Sequence, residues 1–437
     1  MIIRNARILT HDANGRFLDN GFIQISNGHI VKMGLGEGPA DDDVVDAGGK
    51  WMLPGLINLH NHIYSALSRG VSLPQYSPTN FIEILEGMWW NLDQKLTKEL
   101  VSLSARGTYY ECIKNGVTTI FDHHASFATI KGSLRAIADE SRAAGIRSSL
   151  CFELTDRYGQ EKSRLALEEN LEFIEEVRQD GRDDLRALFG LHAAFTLSDD
   201  TLETVANKLS PGVGTHFHLS EGVEDELAAK QLNTSPLKRL VKFGLVRPNS
   251  LAIHGIHLGE DDFALLKQTG SALIHNPQSN MSNAVGYCPV SKFLGHGIRV
   301  GLGTDGYTQD MIETARIASL MMRHQHGDPQ TGWVEPYQML LQTNPELAEE
   351  HFGLKLGRLE VGAAADLILL DYVPFTPLHG DNLYSHLHFG MNGAMVSDTM
   401  ARGKWLMRDR KVLTIDQERL VADATAKAKD LWKEMSQ

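Results

Sequence analysis

The sequence predicts an α/β fold: a (β/α)8 TIM-type barrel carrying a small β-sandwich domain formed from both chain ends. Three observations predict it. Between residues 53 and 356, eight short apolar runs alternate with longer helical stretches. The flanks, 1–52 and 357–437, read instead mostly as short strands and turns. Several of the eight runs end in histidine or an acidic residue, and strand ends are where such a barrel keeps its catalytic side chains.

Residues 1–52 hold Ile2-Ile3, Ala6-Arg7-Ile8-Leu9, Gly21-Phe22-Ile23-Gln24-Ile25 and His29-Ile30-Val31-Lys32-Met33. Asn14-Gly15 and Asn27-Gly28 punctuate them as hairpin dipeptides. These strands are too few to close a core alone. The eight runs that follow are 54–60, 118–122, 147–152, 187–191, 214–217, 250–253, 271–274 and 298–302. The segments between them are helical in pattern. In Arg164 to Gln179, for example, Leu165, Leu167, Leu171, Ile174 and Val177 make one apolar face. Near-continuous apolar strands alternating with helices argue for parallel pairing. Eight repeats over about 300 residues suit a closed barrel better than an open doubly wound sheet. Strand patterns return at 365–370, 394–396 and 399–407, and their simplest packing is against the strands of 1–52. Residues 417–436 end the chain as a helix.

The net charge of −13 and the absence of a basic patch argue against nucleic acid or an anionic membrane as partner. Three widely spaced cysteines, Cys112, Cys151 and Cys288, suit a reducing cytoplasm and no disulfide framework. No signal-like apolar region opens the chain, and no run approaches a membrane span. The expectation is a cytoplasmic protein.

His60 and His62 end the first run one residue apart, so a strand would aim both at one point. Neutral imidazole is a common ligand of zinc and similar ions. The pair alone suits a solvated loop equally well. The other strand ends decide between them: His218 and Glu221 close the fifth run, His254 the sixth and Asp305 the eighth. Polar groups that converge on one face are costly unless they pair or bind an ion.

The order His60-Asn61-His62, His218 to Glu221, His254-Gly255 and Gly303-Thr304-Asp305-Gly306 resembles the amidohydrolase superfamily. It is most similar to the branch of cytosine-, guanine- and adenosine-type deaminases and triazine chlorohydrolases. The resemblance covers nearly the whole chain, including His275-Asn276-Pro277-Gln278-Ser279-Asn280 and Ala363-Ala364-Ala365-Asp366-Leu367-Ile368. Three stretches, 61–70, Asp122-His123-His124-Ala125-Ser126 and Cys151-Phe152-Glu153, look most like the aminohydrolase group called SsnA.

The resemblance implies that His60, His62, His218 and Asp305 hold one divalent metal, zinc first and ferrous iron second. Strand four ends His192-Ala193-Ala194-Phe195, without the lysine of binuclear relatives. A bound divalent ion lowers the pKa of water from ~15.7 to as low as ~7. Asp305 would take a proton from that water, His254 would hydrogen-bond it or polarise the substrate, and Glu221 would carry a proton to the departing nitrogen. The implied reaction is hydrolytic deamination of a purine- or pyrimidine-like heterocycle, with water as co-substrate. Ring opening of a cyclic amide or amidine on the same metal is the alternative. Halide release is a third reading, and a non-catalytic scaffold is the reading of a different class. Family members are commonly dimers or larger, so a homo-oligomer is expected.

For substrate contact the candidates are His192, Arg69, Arg157, His124, Trp89, Gln278 and Asn280. Each has a plainer reading beside it. His192 or His124 suits a core histidine, Arg69 and Arg157 suit surface ion pairs, Trp89 suits helix packing, and Gln278 and Asn280 suit a satisfied turn. The loop from Ser72 to Asn91 either covers the pocket or is a surface connection.

Overall fold

A computed structural model describes residues 1–12, 15–40, 43–74 and 76–437. The chain is α/β with two parallel sheets. One holds Leu56–Asn61, Val117–His124, Arg147–Phe152 and Leu185–Ala187; the other holds Phe189–Leu191, Thr215–Leu219, Leu251–His254, Ala272–His275 and Val300–Leu302. All eight apolar runs are therefore strands. The fourth is broken at Leu188, so its two halves pair in different sheets.

The sheets also touch at both edges. Isolated parallel bridges join Asn61 to Asp305 and Leu154 to Leu191. Thr304 N and Asp305 N both donate to His60 O, at 2.9 and 3.0 Å. The strands are buried along their length, which is why they read as continuous apolar runs. The expected helix over 164–179 is Gln160–Asp180, and the last helix is Gln417–Met435.

Strands from the two chain ends share a nine-stranded sheet among the described residues. Trp51–Pro54 pairs in parallel with Ile2–Leu9 and antiparallel with Leu367–Leu370, which sews the two ends together. Asn27 and Gly28, both at positive φ, turn the hairpin between Phe17–Ser26 and His29–Leu35. Asn14 of the other hairpin dipeptide lies outside the described residues. The run expected over 399–407 is a hairpin instead. Arg402 and Gly403 turn at positive φ between Val396–Ala401 and Lys404–Arg408. That turn meets the Asn27-Gly28 turn, since a Cβ on Gly403 would lie 3.0 Å from Gly28 Cα. The sheet thus curls until its hairpins touch around Ile3, Ile8, Ile23, Met52, Leu367 and Met400.

The chain passes from the end sheet to the first parallel strand at Gly55, where a Cβ would meet the Thr118 side chain at 2.4 Å. A second tie is ionic. Fully buried Arg147, on the third parallel strand, donates to the buried carboxylate of Asp366, whose other oxygen accepts from Arg402 N at 2.6 Å. Removing one partner of a buried ion pair costs about 3–5 kcal/mol, because the other is left charged and unsolvated. Asp366→Ala is therefore expected to lower the urea midpoint of unfolding by a corresponding amount. An unchanged midpoint would show that Arg147 does not depend on this carboxylate.

Candidate metal centre

The candidate metal-ligating side chains of the sequence meet at the C-terminal ends of the parallel strands. The ligand atoms of His60, His62 and Asp305 lie within 4.8 Å of one another, as do those of His60, His218 and His254, and those of Glu221, His254 and Asp305. His62 Nε2 lies 3.2 Å from His218 Nε2 and 3.3 Å from Asp305 Oδ1. Strand geometry explains the convergence: His60 and His62 share a face of Leu56–Asn61 and its exit, and His218 comes from the strand Thr215–Leu219.

Neighbours fix the orientation of His60, His62, His254 and Asp305. His62 Nδ1 donates to His123 O at 2.6 Å, which leaves the Nε2 lone pair free to coordinate. His60 Nδ1 sits 2.8 Å from His216 Nε2, and His254 Nδ1 donates to Asn280 Oδ1 at 2.8 Å. Ser279 Oγ and Gly306 N donate to the two oxygens of Asp305, at 2.8 and 2.7 Å. Asn61 Nδ2 donates to Asp305 O at 2.8 Å and ties the first strand end to the last.

The electrostatics divide the two carboxyl groups. Burial pushes Glu221 well above the usual carboxylate range, and the charge of Asp305 adds to the shift. Burial acts on Asp305 in the same direction. There His62, His254 and the donors Ser279 and Gly306 outweigh it and hold Asp305 low. Burial pushes His60, His218 and His254 below the ordinary imidazole value. Their neutral nitrogens are the form that binds a metal.

The site fits a divalent ion. His60 Nε2, His218 Nδ1 and His254 Nε2 are buried without a hydrogen bond among the described residues. Orphaned polar atoms in such numbers are costly unless something binds them. Imidazole nitrogens with a carboxylate suit zinc and also ferrous iron.

A pocket opens over this cluster, lined by His62, Tyr64, Phe81, Leu85, Trp89, Trp90, Glu153, His192, His218, Glu221, Asn283 and Asp305. It encloses about 50 Å³, against ~300–1,000 Å³ for typical ligand pockets. From the stretch 72–91, Phe81, Leu85, Trp89 and Trp90 of the helical segment Phe81 to Asp93 line it.

Of the substrate candidates, His192 and Trp89 line this pocket. Asn280 acts behind His254. His124 is buried against Ser126, at 2.8 Å, and Tyr64. Arg157 lies behind the wall, where Nη2 donates to Glu153 Oε1 at 2.8 Å and the guanidinium covers Trp90 at 4.4 Å. Arg69 and Gln278 face a different cavity, of about 800 Å³, where Arg69 pairs with Glu111 and Gln278 reaches Glu313. Sequence reasoning named no role for Glu153, Asn283 or the supporting His216. Glu153 stood in the sequence only as the end of the Cys151-Phe152-Glu153 stretch, after an apolar strand.

The cluster tolerates little displacement. A Cβ on Gly303 would lie 2.7 Å from His60 Cβ and 2.5 Å from Asn276 Oδ1. Gly303→Ala is expected to weaken zinc binding about 10- to 100-fold, as loss of a ligand's support does, although no ligand is removed. Competition with a chromophoric chelator measures it. Wild-type affinity would mean that His60 keeps its place.

The model of the amidohydrolase family matches residues 51–406. The chain is 32% identical to a 5'-deoxyadenosine deaminase of Methanosarcina barkeri, over 99% of this chain and 98% of the relative. It is 30% identical to a 5-methylthioadenosine/S-adenosylhomocysteine deaminase of Bacillus cereus, over 96% of this chain and 97% of the relative. Among solved structures, an adenosine deaminase of Xanthomonas campestris with bound zinc superposes with a TM-score of 0.86, at 22% identity, over 99% of this chain and 98% of that one. With the matched segment spanning most of its length, the chain belongs to the amidohydrolase family.

Proposed function

We propose that this protein catalyses hydrolytic deamination of a purine-like heterocycle on one divalent ion, zinc first, held by His60, His62, His218 and Asp305. One observation carries the reading: His62, His218 and Asp305 of this set share a pocket with Glu221, while His254 Nε2 lies 3.3 Å from Glu221 Oε2 and 3.5 Å from Asp305 Oδ2. The full-length likeness to deaminases of adenosine type supports it. A single ion is favoured because strand four supplies His192 and no lysine.

When bound, the ion supplies Lewis acidity and makes water a nucleophile at neutral pH. The chain's own groups handle the protons. Asp305, held ionised, accepts a proton from the attacking water. Glu221, whose proton affinity burial and the charge of Asp305 raise, delivers one to the ring nitrogen or the departing amine. Two carboxyl groups whose surroundings push them apart divide the roles of base and acid. His254 Nε2 is directed at both and orients the group that attacks or leaves. The aromatic wall of Tyr64, Phe81, Trp89 and Trp90 suits a flat ring and excludes water.

The same reading takes the two parallel sheets as one (β/α)8 barrel over 53–356, supported by the bridges at both edges. It takes the curled sheet of 1–52 and 357–437 as a sandwich domain. Three free buried cysteines suit a reducing compartment such as the cytoplasm, and no helix among the described residues is long and apolar enough to cross a membrane. Phe375 and Phe389, both strongly exposed, suit contact with a second copy.

Mass spectrometry of turnover on zinc-loaded protein, with a panel of amino-purines, pyrimidines, pterins and triazines, tests the reaction. Exchange of an amino group for oxygen with release of ammonia is expected, and addition of a whole water would replace deamination by ring opening. Glu221→Gln is expected to keep its metal and lose about 10²- to 10⁴-fold in kcat. Near-normal kcat with metal bound would remove Glu221 from the mechanism.

A further inference from the structure

One wall of the pocket takes no part in the proposed chemistry. It lies across His218 from His254, with the His192 and His254 rings each 5.6 Å from the His218 ring. Glu153 and His192 form it, beneath Trp89 and Trp90.

Glu153 is 3% exposed, and its Oε1 accepts from Arg157 Nη2 at 2.8 Å. Arg157 is fixed in turn. The same nitrogen reaches Asp93 Oδ2 at 3.2 Å, and the ring faces of Trp90 and Tyr158 lie 4.4 and 5.2 Å from the guanidinium. Arginine keeps its proton in any protein setting. A buried guanidinium therefore demands a carboxylate, and Glu153 is held as one. The second oxygen, Oε2, is 3.7 Å from His123 Nδ1, beyond hydrogen-bond reach.

His192 is the other half. Its Nδ1 lies 2.9 Å from Thr196 Oγ1, and Thr196 gives its single hydroxyl proton to Ala193 O at 2.9 Å. Thr196 must then accept from His192 Nδ1, which leaves a lone pair on Nε2. That nitrogen is 4.0 Å from Glu153 Oε1. Two acceptors thus stand side by side on a buried wall. An acceptor on a ligand would meet them lone pair to lone pair, and a hydrocarbon edge would leave His192 Nε2 and Glu153 Oε2 without a donor.

We propose that Glu153 and His192 read a hydrogen-bond-donating edge of the substrate, so that the ring carries a second amino group besides the one that leaves. This inference rests on the deamination reading and narrows it to diamino heterocycles. Glu153 is thereby a specificity-determining residue, fixed by Arg157.

The experiment compares two matched pairs on the zinc-loaded protein: 2,6-diaminopurine against adenine, and 2,4-diaminopyrimidine against 4-aminopyrimidine. Ammonia release gives kcat/KM and calorimetry gives Kd. The diamino member of at least one pair is expected to be favoured by about tenfold or more, as for a buried acceptor gaining its partner. Glu153→Gln, which turns one of the acceptor atoms into a donor, is expected to reduce that ratio about tenfold. Equal handling of both members in the wild type would overturn the inference while leaving the deaminase reading in place. A variant that loses both members alike would make Glu153 a structural residue and overturn it as well. Binding of neither member of either pair also overturns it. Ammonia from another amino-heterocycle would then keep the deaminase reading, and ammonia from none would remove both. The wild-type ratio needs no variant, so the test stands even if Glu153→Gln fails to fold.

Discussion

The structure depends on the burial of more imidazole than a protein interior can satisfy by itself. His60, His62, His123, His216, His218 and His254 pack ring against ring at 4.7 to 6.2 Å among the strand ends. They cannot all carry protons, since like charges at these distances repel in a medium that screens poorly. Nor can each find a hydrogen-bond partner, as the orphaned nitrogens show. A divalent ion resolves both problems, because it consumes lone pairs and replaces several repelling protons with one shared charge.

Much of that arrangement was legible in the sequence because strand geometry is strict. A period of two places His60 and His62 on one face, and parallel strands of similar length end at a common level, so His218, His254 and Asp305 had to arrive near them. The supporting shell was less legible. His123 contributes through its backbone carbonyl, which any residue could supply, and His216 works behind His60. Arg69 follows a short helical turn whose exit direction no periodicity specifies, and it lands in an outer cavity. Glu153 reads as an ordinary loop acid until Arg157, four residues on, is seen to fold back beneath Trp90.

The end sheet was legible in its membership and less so in its form. Asn27-Gly28 announced its turn, as the residue types with least cost at positive φ do. Arg402-Gly403 did not, because an arginine at φ 54° carries no turn signature. Its amide is held by Asp366, and its conformation belongs to the tertiary structure.

Three of the residues at positive φ stand at the strand exits that carry the imidazoles. Ser220, His254 and Asp305 all adopt positive φ, 49°, 76° and 58°, although none is glycine. Each such residue costs on the order of 1–3 kcal/mol and persists only where its surroundings over-determine it. Those surroundings are visible: Asp225 holds Ser220 N at 2.9 Å, Leu219 O takes Gly255 N at 2.8 Å, and His60 O takes Asp305 N at 3.0 Å. An extended backbone would carry these strands straight on and point alternate side chains away from the centre. The left-handed residues turn each chain at its exit, so the side chains at the turn face inward. In the helical segment beside the pocket, Trp90 N bonds back to Leu85 O over a wide turn, and Trp89 and Trp90 line the same pocket as His62 and His218. These three left-handed residues stand at strand exits, and the buried ties around them sustain that geometry.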